Sequence, residues 1–87
     1  MAKRIIIVED DNIIRNAFVT LIQQSGDYTV ANAYSNAEAA IKNVKEDAPD
    51  ICLMDIELPG MNGIEAIPKI KALSPNTQVV VVTVYVV

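Results

Sequence analysis

Asp55 follows directly on the apolar run Ile51–Met54, and Glu9 and Asp10 follow directly on Ile5–Val8. Apolar runs this short are too few for helices and read as buried strands, the Ile5–Val8 run being wholly β-branched. Each therefore delivers carboxylates to a strand's carboxyl end. Carboxylates brought close together repel unless a cation shares the space. Oxygen-only ligands with room for water suit Mg²⁺ better than a caged Ca²⁺, and the spacing lacks the regular oxygen ligands of an EF-hand loop. With no His and one Cys in the chain, zinc is a poor fit. A carboxylate beside Mg²⁺ is also able to attack a phosphoryl group, the metal offsetting charge on both partners. After Asp55 the chain must turn: Pro59, Gly60, Asn62 and Gly63 are clustered turn formers and mark a surface loop.

The elements that must position these groups alternate along the chain. Ile13, Ile14, Ala17, Phe18, Leu21 and Ile22 recur at helical spacing, with Asp11 or Asn12 to cap the start and Gly26 the end. Asp11 is read as that cap rather than a ligand, and Arg15 as a solvated helix residue or an ion-pair partner. Tyr28 to Ala33 is a weaker strand of mixed polarity, as expected near a sheet edge. Ser35 to Glu38 matches a capping box, and Ala37, Ala40, Ile41 and Val44 give a second helix its apolar stripe. Pro49 stops that helix before the Ile51 strand. Ile64, Ala66, Ile67, Ile70 and Leu73 predict a third helix, in which Pro68 demands a start near Glu65 or a bend. Gln78 leads into a fourth strand of valines, with Thr83 and Tyr85 further along it.

Strand–helix alternation with short connections implies one α/β domain with a parallel sheet. In one doubly wound order, second-first-third-fourth, the first and third strands are neighbours where the winding reverses, which is where such sheets bind ligands. Glu9, Asp10 and Asp55 would then surround one hole.

Eleven acidic against seven basic residues give a net charge of −4, with no basic run to track a phosphate backbone, so direct nucleic-acid binding is not expected. The lone Cys52 sits inside an apolar run and is expected to be a small buried hydrophobe in a reducing compartment, which makes the cytoplasm the expected location. The start MAKRIIIVEDD is too short in apolar residues for a secretory signal, and no stretch approaches a membrane span.

The segments IIIVEDDNIIR and LMDIELPGMNG and the hydroxyl of Thr83 after VVVV resemble response-regulator receiver domains, the phosphoacceptor modules of two-component signalling. The resemblance runs from Lys3 to Tyr85, and the LPGMNG loop is similar to receivers of the LuxR/NarL type. It implies a flavodoxin-like sheet in the order 2-1-3-4. It implies that Asp55 is the phosphoacceptor, that Glu9, Asp10, Asp55 and the main-chain carbonyl of Glu57 bind Mg²⁺, and that Thr83 contacts the phosphoryl group. Expected partners are a sensor histidine kinase and an output domain outside residues 1–87, expected to bind DNA and regulate transcription. The module itself is not expected to be an enzyme.

Receivers usually carry a fifth strand with a lysine and two further helices, and no Lys follows Lys71 here. The chain is therefore expected to be an N-terminal receiver fragment, with Val79 to Val87 an uncovered apolar edge able to pair with a second copy as a homodimer. Two other readings are an aspartate-nucleophile, Mg²⁺-dependent phosphohydrolase of the haloacid-dehalogenase kind and a pseudo-receiver that binds partners without accepting phosphate. The first normally places a DxD pair after the first strand, whereas here an adjacent acid pair stands there.

Overall fold

A computed structural model of the chain describes residues 2–82. Four parallel strands, β1 (Lys3–Val8), β2 (Tyr28–Tyr34), β3 (Ile51–Asp55) and β4 (Gln78–Val82), form one sheet in the order β2-β1-β3-β4. Three helices alternate with them: α1 (Asn12–Ser25), α2 (Ala37–Asp47) and α3 (Gly63–Leu73). The alternation predicts a parallel α/β sheet, and its order, with β1 and β3 at the centre, is the flavodoxin-like one that the resemblance implies.

Side chains of a strand alternate between the two faces of its sheet. Ile6, Val8, Cys52 and Met54 lie on one face and form the core with Ala37, Ala40 and Val44 of α2, Ala66 and Ile70 of α3, and Leu58 of the β3–α3 loop. Ile5 and Ile7 are buried on the other. No residue of α1 is fully buried; Ile14, Phe18 and Ile22, one helical stripe, are half-buried, while Ile13, Ala17 and Leu21 of the expected stripe face solvent. The small residues of α2 let it pack close to the sheet, which is why its inner face is dry.

Local chemistry sets the helix ends. Asp11 accepts hydrogen bonds from the amides of Ile13 (2.9 Å) and Ile14 (3.0 Å), and Gly26 closes α1 in the left-handed region at φ 79°. Asn36, not Ser35, caps α2 by accepting from the amide of Ala39 at 2.8 Å. A helix start near Glu65 does not occur: Asn62 caps α3 by accepting from the amide of Glu65, and the helix runs from Gly63 to Leu73 with Pro68 inside it. Pro68 is exposed, so only one intrahelical donor is lost and its ring meets water rather than a neighbour.

At the amino end of the sheet, buried Thr77 donates its hydroxyl to the Pro49 carbonyl at 2.7 Å, and Lys71 donates to the carbonyls of Pro75 (3.0 Å) and Thr77 (2.7 Å). These bonds pin the turn that launches β4. Among the described residues β4 pairs with β3 alone, and its Val80 and Val81 are 45% and 42% exposed. That matches the apolar edge expected for this strand as far as Val82. No helix of the described residues is long and apolar enough to cross a membrane.

Candidate functional site

Register brings the two acidic strand ends together. Ile5 to Val8 pair with Ile51 to Met54, so the residues that follow, Glu9 on one strand and Asp55 on the other, emerge at the same level. One carboxylate oxygen from each of Glu9, Asp10 and Asp55 lies within 4.8 Å of the other two. The three acids singled out in the sequence therefore share one site at the carboxyl edge of the central strands.

Their surroundings differ. Glu9 is 4% exposed, Asp55 is half-buried and Asp10 is open to solvent. The Glu9 amide donates to the Tyr34 carbonyl at 3.0 Å, extending the ladder towards β2, and its carboxylate accepts from the Asp11 amide at 3.1 Å. Burial pushes the Glu9 carboxyl up to about 7; the bond from Asp11 opposes that shift, and the neighbouring acids Asp10 and Asp55 add to it. A carboxyl so perturbed is one that a divalent cation would return to its ionised form. The donor set is all oxygen, with one acid exposed to admit water, which fits Mg²⁺.

Asp55 is tied to the loop that follows. Its Oδ1 accepts from the Glu57 amide at 3.1 Å, and the Ile56 carbonyl accepts from the amides of Leu58 (3.1 Å) and Gly63 (3.0 Å). The loop thus curls back on the end of β3, with Gly60 in the left-handed region at φ 73°. Thr83 and Tyr85 lie outside the described residues, although the preceding Val82 pairs with Asp55, so β4 reaches the level of the acids.

The sequence profile of the response regulator receiver domain family matches residues 5–86. This chain belongs to that family. The receiver is 41% identical over 81 residues to the chemotaxis protein CheY of Thermotoga maritima, covering 93% of this chain and 67% of that protein. It is 34% identical to the transcriptional regulatory protein YdfI of Bacillus subtilis, covering 94% of this chain but 38% of the relative. It therefore spans well under half the length of some of the proteins it matches. Among solved structures, a two-component response regulator of the LuxR family from Aurantimonas sp. SI85-9A1 superposes with a TM-score of 0.89 at 31% identity, over 99% of this chain and 61% of the other.

Two groups in the receiver site escaped the sequence reading. Arg15 is half-buried rather than solvated, and its guanidinium donates to the Glu9 carbonyl at 2.8 Å. Its place one turn after the capping Asp11 was the available signal. Gly63, read as a turn former, is buried and packs against the Asp55 main chain. No local pattern reports such a contact, because it joins a strand end to a helix start across a loop.

Proposed function

We propose that Asp55 of this receiver accepts a phosphoryl group from a separate histidine kinase, with Mg²⁺ held by Glu9, Asp10, Asp55 and the main-chain carbonyl of Glu57. The clustering of three carboxylates around the end of β3 carries this reading. A carboxylate oxygen of Asp55 attacks phosphorus, the new O–P bond forming as the N–P bond to the kinase imidazole breaks; the released ring nitrogen takes a proton. Mg²⁺, when bound, offsets the charge of the phosphoryl oxygens and the carboxylates. The bond from the Glu57 amide limits rotation of the Asp55 carboxylate, and half-burial limits the water that reaches it. Thr83 supplies a hydroxyl to a phosphoryl oxygen.

The output is taken to be transcription. Support comes from YdfI, a transcriptional regulatory protein, and from a 36% identical DNA-binding response regulator of the LuxR family from Staphylococcus aureus, whose structure superposes with a TM-score of 0.86. Other relatives join the same domain to enzymes, such as a cyclic di-GMP phosphodiesterase of Thermotoga maritima, so the receiver acts as a control module and the attached part does the work. The unpaired, buried Cys52 supports a reducing, cytoplasmic setting. A second copy pairing along β4 belongs to the same reading.

The deciding experiment incubates the protein with acetyl phosphate or beryllofluoride and Mg²⁺ and locates the adduct by mass spectrometry or fluorine resonance. An adduct at Asp55, absent from Asp55→Asn, is expected. A wild-type protein that takes none, or one that turns over many equivalents of a general phosphomonoester, would overturn the proposal.

A further inference from the structure

We infer that Arg15 is a positioning residue for the acidic site, acting through main-chain carbonyls rather than by neutralising carboxylates. Its Nη1 donates to the Glu9 carbonyl at 2.8 Å and faces the Asp10 carbonyl at 3.5 Å, while Nη2 donates to the Asn12 side-chain oxygen. Among the described residues all three acceptors are uncharged oxygens. The guanidinium therefore spans the turn between β1 and α1 from the helix side, its planar fork matched to several acceptors at once.

The turn needs such a hold. Glu9 is bonded to the ladder through its amide to Tyr34, and its carbonyl accepts from the Arg15 side chain rather than from a neighbouring strand. With the carboxylate bonded to the Asp11 amide, Glu9 is fixed at three points, of which Arg15 supplies the middle one. Releasing it frees the peptide planes that set where the Glu9 and Asp10 side chains project.

This role can be told from simple electrostatics by the sign of its effect. A cation beside a divalent-metal site repels the metal, so deleting Arg15 for its charge alone would tighten Mg²⁺ binding. Deleting a group that orients the ligands weakens it, by about tenfold at the low end for such outer contacts. The metal arm presupposes the Mg²⁺ reading above; the effect on the turn does not.

The test uses ¹⁵N-labelled protein with Arg15→Ala and Arg15→Lys, reading the solvent exchange of the Asp11 amide without metal and the Mg²⁺ titration of amide shifts near Asp55. The remaining resonances report whether the fold is intact. Arg15→Ala is expected to speed Asp11 exchange about fivefold or more, as loss of a roughly 1 kcal/mol hold implies, and to weaken Mg²⁺ binding; Arg15→Lys restores part of both. Unchanged Asp11 exchange, or tighter Mg²⁺ binding in Arg15→Ala, overturns the inference. If wild type shows no response to Mg²⁺, the metal reading fails and Asp11 exchange alone decides the role of Arg15. If Arg15→Ala does not fold, Arg15→Lys decides it by the same exchange rate, faster supporting and unchanged overturning.

Discussion

Gly63 lies against the main chain of Asp55: a Cβ on residue 63 would stand 2.3 Å from the Asp55 carbonyl oxygen and 3.0 Å from its carbonyl carbon. Both are backbone atoms at the end of a central strand, so neither has a soft direction in which to yield. Gly63→Ala is expected to cost about 1–3 kcal/mol, the range for overpacking a tight site, and to displace Asp55 relative to Glu9 and Asp10. Chemical denaturation measures the first effect and loss of the Mg²⁺-dependent adduct the second.

The raised carboxyl of Glu9 makes a prediction about pH in the metal-free protein. Its value is about 7 in the folded chain against 4.5 as the ordinary value, so the folded state holds the extra proton between those limits. Stability from this group is fully present below about 4.5 and is lost as pH rises through about 7. The denaturation midpoint in the presence of a chelator is therefore expected to fall as pH rises from about 4.5 to about 7. Glu9→Gln should flatten that slope, and Mg²⁺ should reduce it in wild type by favouring the ionised form.

Ala48 closes α2 in the left-handed region, at φ 45° and ψ 56°, where a side chain is strained. Its amide still donates to the Val44 carbonyl at 3.0 Å, so glycine keeps the cap and removes the strain. Ala48→Gly is expected to raise stability by up to about 1 kcal/mol, offset in part by the greater freedom of unfolded glycine. Thermal or urea unfolding checks it.

Along β4 the exposed Val80 and Val81 flank main-chain groups on the side away from β3. The 87-residue chain is expected to self-associate along this edge at high concentration, and light scattering reads the outcome. A monodisperse monomer would show that the edge is protected. Val81→Lys, which places a charge on the strand without touching the acidic site, should abolish association in the first case.

Much of this was legible in the linear pattern. Apolar runs of strand length between amphipathic stretches required an alternating α/β chain, and acids placed immediately after two of those runs required carboxylates at two strand ends. These are local properties, set by side-chain stiffness, periodicity and the turn chemistry of Pro, Gly and Asn. Capping was legible only to within a residue: Asn36 rather than Ser35 caps α2, since either side chain is able to serve and the winner depends on where packing starts the helix. Pro68 misled for a similar reason, because the cost of a missing donor is tolerable on an exposed face when Ala66 and Ile70 bury the opposite one.

The residue types and their spacing by themselves determined that this chain carries acids on the ends of buried strands and turns sharply after Asp55. Tertiary structure decided that β1 and β3 are neighbours with Val8 level with Met54, that Arg15 reaches back to the Glu9 carbonyl, and that only glycine fits at position 63. Those facts depend on register and close approach between segments far apart in the chain. Pairing register and interatomic clearance are properties of the packed sheet, and no single segment encodes them.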